Sequence, residues 1–292
     1  MSMQLWFVLA LAVALLWGFD GILAKLSTQK LGVARLAILI PVIEGIMYFL
    51  GFYYWRDNLP IGLGEGIFAA VSCVIGTVAY LCYFESIVDG QIAISGTISA
   101  AYPALTVLGA LVFLSETLTV TQGLALVAIV GGVIGLSYEP NPGGEHATPR
   151  RSMFFALLAF VLFGFWGLAS KIAINAVGPG SIFGFYAISS LTVPFVYAWF
   201  RRVRPAQSRD GNPSWIAWAL GATALALNVC AVFAFSFALD SGLASLVVPI
   251  SSAYPLVTVI LAVALLREKL NWLHLTALVF VIIGLIVIGI TG

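Results

Sequence analysis

Read from end to end, the chain is a succession of apolar runs separated by short polar breaks. A helix needs roughly 20 apolar residues to cross a bilayer. Ten runs meet or approach that length, at about 5–26, 33–54, 65–86, 91–114, 120–138, 152–174, 180–200, 214–238, 242–266 and 272–290. One polar, Pro/Gly-rich stretch interrupts them, EPNPGGEHATPRR at 139–151, so the pattern predicts five helices in 1–138 and five more in 152–292. Because five is odd, the second set enters the membrane inverted relative to the first. The expected fold is therefore all-α and integral to the membrane, with ten transmembrane helices arranged as an inverted 5+5 repeat.

The two halves also resemble each other residue by residue. GQIAISGTISAAYPALTVLGALVFLSETL (90–118) lies on GLASLVVPISSAYPLVTVILAVALLREKL (242–270) without a gap, and LWGFDGILAK (16–25) lies on LFGFWGLASK (162–171). The offset is 146 residues early in each half and 152 later, the change falling in the longer loop RRVRPAQSRDGNPS. Duplicated transmembrane halves are a mark of secondary transporters, which bind substrate where the repeats meet. Segments four and nine are rich in small residues that allow close helix approach, whereas segment ten is aliphatic almost all round. Helices one to four and six to nine are thus expected around a cavity, with five and ten outside it.

Composition supports this picture. With 62% hydrophobic and 9% charged residues, the chain lies far from the soluble average of about 25% charged. A net charge of +1 gives no reason to expect nucleic acid as a partner. The first segment lacks a basic leader and a small-residue cleavage pattern, so it reads as a retained helix. Cys73, Cys82 and Cys230 all fall inside predicted helices, which argues against a disulfide framework. Lysine and arginine are biased to the odd-numbered loops (Lys30, Arg35, Arg150, Arg151, Arg201, Arg202, Arg204, Arg209, Arg267, Lys269), placing both termini outside the cytoplasm by the positive-inside rule.

The runs ISAAYPALTVLGALVFLSETLTVTQGLALVAIVGGVIGL and ISSAYPLVTVILAVALLREKLNWLHLTALVFVIIGLIVIG each resemble the end of an EamA domain. In both, a proline-broken helix is followed by an apolar run, an acidic residue before a turn (Glu116, Glu268) and a glycine-containing last helix. The resemblance is to the drug/metabolite transporter superfamily and spans nearly the whole chain. It implies ten helices, an inverted repeat and alternating access in a cell (inner or plasma) membrane. Members of that superfamily move amino acids, sugars, nucleobases, amines and other small metabolites, often outward.

Charge inside the bilayer is costly, about 2.5–3.5 kcal/mol at the centre by insertion scales, and usually functional. Glu44 lies at the midpoint of segment two, just after Pro41, which cannot donate a backbone hydrogen bond. It is a candidate to bind an ammonium group or a coupling proton; the alternative is a hydrogen-bonded packing residue. Asp20 shares a helix face with Trp17, a pairing of carboxylate and indole suited to an ammonium; the alternative partner is Lys25. Glu85, near the end of segment three, reads as interfacial. Under the repeat offsets Asp20, Glu44 and Glu85 correspond to Trp166, Ser190 and Phe237, so all three membrane carboxylates are unique to the first half.

Gly76, Tyr80 and Tyr83 form one stripe on segment three, and Tyr102, Trp166, Tyr186 and Tyr254 stand on other candidate lining helices, with Asn228 a polar group at depth. The candidate substrate residues are thus Trp17, Asp20, Glu44, Tyr80, Tyr83, Trp166 and Asn228. Pro103 and Pro255 each free a carbonyl one turn back, at Ser99 and Ser251, which marks helix breaks suited to bending or gating. Lys25 and Lys171 are shared between the halves and read as snorkelling or helix-end cations, with gating as a second reading.

The expectation is a secondary transporter of a small amine-bearing cation or zwitterion, with protons as candidate coupling ion, acting as a monomer or homodimer. An anionic or sugar-like substrate held by Lys25 and Lys171 is the alternative. No H-E-x-x-H or G-x-S-x-G motif suggests catalysis, and no pattern calls for a metal or cofactor.

Overall fold

The computed structural model describes residues 3–58, 60–89, 98–99, 101–137, 150–201, 214–257, 260 and 272–291. Among them are ten helices and no strand: α1 (Met3–Leu31), α2 (Val33–Trp55), α3 (Leu63–Asp89), α4 (Tyr102–Phe113), α5 (Val120–Ser137), α6 (Arg150–Val177), α7 (Ile182–Arg201), α8 (Trp215–Ser241), α9 (Ala244–Val257) and α10 (Trp272–Thr291). Seven are long and apolar enough to cross a membrane, and the shorter α4, α5 and α9 are apolar too. The linker at 139–149, residues 90–97, most of the basic loop after α7, and Arg267, Glu268 and Lys269 lie outside the described residues.

Helix boundaries follow local chemistry and repeat between the halves. α1 and α6 run past their expected ends to Leu31 and Val177. Each then stops at a glycine with positive φ, Gly32 (φ 73, ψ 160) and Gly178 (φ 91), backbone that glycine adopts without steric penalty. These two positions are repeat equivalents. Arg150 and Arg151, read from sequence as linker, open α6 instead.

In α2, Pro41 cannot bond back to the preceding turn, and the backbone widens into a five-residue π-turn, Pro41–Gly45. Such turns are rare and frequent at functional sites. This one carries Glu44 to the interior, where it is 3% exposed. In α4 and α9 the prolines follow a turn: Pro103 is in the first turn of α4 after Ala101, and Pro255 follows Ser252 and Ala253. The same bond recurs at both, Ala104 N–H to Ala101 O at 3.1 Å and Leu256 N–H to Ala253 O at 3.0 Å.

Packing obeys the duplication. α1 lies mainly on α8, its equivalent α6 mainly on α3, and α4 meets α9. Shared glycines permit these contacts. A Cβ on Gly18 would stand 2.5 Å from Val257, and one on Gly164 would stand 2.5 Å from the equivalent Leu105. α5 and α10 pack chiefly on each other, with lesser contacts to α9 and α1. Large apolar side chains such as Phe49, Phe113, Phe195 and Ile290 cover the outside, as a lipid-facing surface requires. Trp55, Trp199, Trp215 and Trp272 are exposed near helix ends, where aromatic belts form.

Candidate functional site

A cavity of about 100 Å³ opens in the middle of the bundle. All eight inner helices contribute to its wall, and α5 and α10 contribute nothing. Every candidate substrate residue named from the sequence lies on that wall: Trp17 and Asp20 from α1, Glu44 from α2, Tyr80 and Tyr83 from α3, Trp166 from α6 and Asn228 from α8. Ser99 also lines it, whereas Ser251 is buried without reaching it, and the two prolines stand behind Tyr102 and Tyr254, which do.

The lining repeats the duplication in position but not in chemistry. Trp17 faces the cavity and so does its equivalent Phe163; the same holds for Asp20 and Trp166, Glu44 and Ser190, Gly76 and Asn228, Tyr80 and Val232, and Tyr102 and Tyr254. One duplicated framework thus supplies the shape, and divergence between the halves supplies a wall with acid on one side only.

The polar contacts converge on Glu44. Asn228 Nδ2 donates to its Oε1 at 3.0 Å, and the Ser190 hydroxyl donates to its Oε2 at 3.4 Å. Trp17 Nε1 donates to Asn228 Oδ1 at 3.1 Å, which fixes the amide so that its N–H₂ end faces the carboxylate. Asp20 accepts the Tyr80 hydroxyl at 3.4 and 3.5 Å. Among the described residues no lysine or arginine pairs with either carboxylate. In particular Asp20 does not pair with Lys25, which is exposed. Aromatic rings close the remaining wall: Tyr48 stacks on Tyr186 at 5.1 Å, Trp166 stacks on Phe235 at 5.1 Å, and Trp166 Nε1 donates to the Tyr186 hydroxyl at 2.8 Å.

Glu85 is different. It is 4% exposed near the end of α3, and it bonds Arg151 Nη2 at 2.5 Å and the Tyr197 hydroxyl. Its charge is met by Arg151, away from the cavity. The two lysines stand away from the cavity as well. Lys171 Nζ donates to the carbonyls of Leu239, at 2.5 Å, and Gly242, at 3.1 Å, where α8 ends. Beside it Glu116 accepts the N–H groups of Ala244 and Ser245, both at 2.9 Å, at the start of α9. Each charge thus meets the helix dipole of opposite sign.

Sequence reasoning missed Tyr48, Thr77, Phe163 and Val232 on the wall. Tyr48 is one turn beyond Glu44 and shares its face. Phe163 and Val232 are the repeat equivalents of Trp17 and Tyr80, so the offset alone points to them. Thr77 has no such signal; its hydroxyl bonds Ser189 at 2.9 Å and the Cys73 carbonyl at 3.0 Å.

Two inverted five-helix halves closing on one central, partly polar cavity at membrane depth have the build of a secondary transporter. The chain belongs to the EamA-like transporter family, whose sequence profile matches it twice, at residues 4–138 and 150–290. An uncharacterised protein of Methanocaldococcus jannaschii is 26% identical over 130 residues, which cover 44% of this chain and 94% of that protein. That relative is thus about one repeat long. A solved structure titled only as the crystal structure of a protein superposes with a TM-score of 0.74 at 17% identity, covering 99% of this chain and 98% of the other. That likeness concerns the fold.

Proposed function

We propose that this transporter carries a small amine-bearing cation through the central cavity, with Glu44 and Asp20 as the groups that receive the ammonium. The reading is carried by one observation: two buried carboxylates face a single aromatic cavity with only neutral donors around them. Burying an unpaired carboxylate is expensive, and a ligand cation offsets that cost. Indole and phenol rings add attraction through their faces. A carboxylate that holds a proton and an ammonium in turn couples the amine to the proton gradient. The alternative, an anion or sugar held by Lys25 and Lys171, has less support, because one lysine is exposed and the other is bonded to the end of α8.

The test is thermal unfolding of the purified protein in detergent with amines, amino acids, sugars, organic phosphates and nucleobases, since a ligand of the folded state raises its stability. Amines are expected to stabilise the wild type, and Glu44→Gln to remove the effect. Stabilisation by phosphates or sugars alone overturns the reading. Coupling is checked in proteoliposomes: uptake that ignores a pH gradient in both wild type and Glu44→Gln sinks the proton step.

A further inference from the structure

We infer that the preferred substrate is a dication, a short solute with an ammonium group at each end of an aliphatic chain. This rests on the amine reading above and sharpens it. Among the described residues, the other acidic side chains of the protein interior already have their charge answered. Glu85 has Arg151, Glu116 has the N–H groups that open α9, and Asp57 Oδ2 accepts the N–H groups of Gly180 and Ser181, both at 3.0 Å. Asp20 and Glu44 have a phenol, an amide and a hydroxyl, none of which neutralises charge.

A monocation balances only one of the two carboxylates, and a zwitterion brings a third negative charge into a desolvated site. A dication balances both. The carboxylates are also close enough to share one short ligand. Trp17, one turn before Asp20, bonds the same Asn228 that holds Glu44. A cavity of about 100 Å³ is several times the roughly 10–15 Å³ that a single water needs. That fits two nitrogens and a short methylene chain against rings.

The wall also holds a hydroxyl that such a ligand can use. Ser99 lines the cavity at 2% exposure, and its Oγ has no hydrogen-bond partner among the described residues. An ammonium carries three N–H donors, so one resting on a carboxylate still has N–H groups to offer Ser99.

Calorimetric titration of the purified wild type decides the matter, using α,ω-diamines of two to six methylenes against monoamines of matched chain length. The expected result is a diamine preference of about tenfold or more at one chain length, falling towards unity in Asp20→Asn and in Glu44→Gln. Equal affinity of the wild type for diamines and monoamines overturns the dication and leaves the amine reading standing. If the wild type binds no amine but does bind sugars or phosphates, both fall. The chain-length series needs no variant, so it stands even where a substitution fails to fold.

Discussion

Asn228 holds two groups with one amide, the Trp17 indole N–H on Oδ1 and Glu44 on Nδ2. Leucine has similar volume and offers neither bond. Asn228→Leu is therefore expected to leave the Trp17 N–H and Glu44 Oε1 unpaired and to lose on the order of 2–6 kcal/mol at about 1–3 kcal/mol per group. Unfolding in detergent followed by tryptophan fluorescence measures it. Neutralising either carboxylate works in the opposite sense. Asp20→Asn and Glu44→Gln remove a buried charge with no basic partner, so both are expected to raise the unfolding temperature of the ligand-free protein while impairing transport. Unchanged or lower melting temperatures in both would mean that the protein itself already satisfies those charges. Asp20 and Glu44 were conspicuous in the sequence because a charge within an apolar run is expensive and so carries information. Tyr48 and Thr77 were not, because a tyrosine or threonine suits a membrane helix whether it faces lipid, a neighbour or a cavity.

Among the helices, the equivalent caps Gly32 and Gly178 form an internal control. Both adopt positive φ, but a Cβ at Gly32 meets open space, whereas one at Gly178 would stand 2.1 Å from Asp57 Oδ2. Gly32→Ala is expected to cost about 1–3 kcal/mol, the penalty of its glycine-only backbone conformation alone. Gly178→Ala is expected to cost clearly more, since it also displaces the carboxylate that caps α7. Equal melting temperatures for the two variants would contradict this assignment. Helix number and most boundaries were legible in the sequence because bilayer thickness dictates the length of an apolar run. What joins the helices was less so. Glu116 could be read only as a turn or interface residue, since its partners Ala244 and Ser245 lie in the other half of the chain. The Pro41 break was visible from the missing N–H, but its form as a π-turn depends on how α2 packs against α7.

Across the whole molecule, the duplication shows in equivalent contacts made twice. The crossing of α5 and α10 is the plainest case. A Cβ on Gly132 would come 2.6 Å from Val281 and 2.7 Å from the Ala277 carbonyl. Under the repeat offset Gly132 corresponds to Gly284, where a Cβ would come 2.6 Å from Ile129 and 2.7 Å from the Ala125 carbonyl. The axis that exchanges the two halves therefore passes through this crossing. Gly132→Ala and Gly284→Ala are each expected to wedge it apart and slow transport several-fold while ligand affinity in the central cavity stays within about twofold, as for substitutions distant from a site. Flux in proteoliposomes, set beside calorimetry, separates the two effects. A point on an exchange axis stays still when the halves trade shapes, so α5 and α10 hold the molecule as a rivet holds scissors: the blades swing, and the rivet sets how freely they do so.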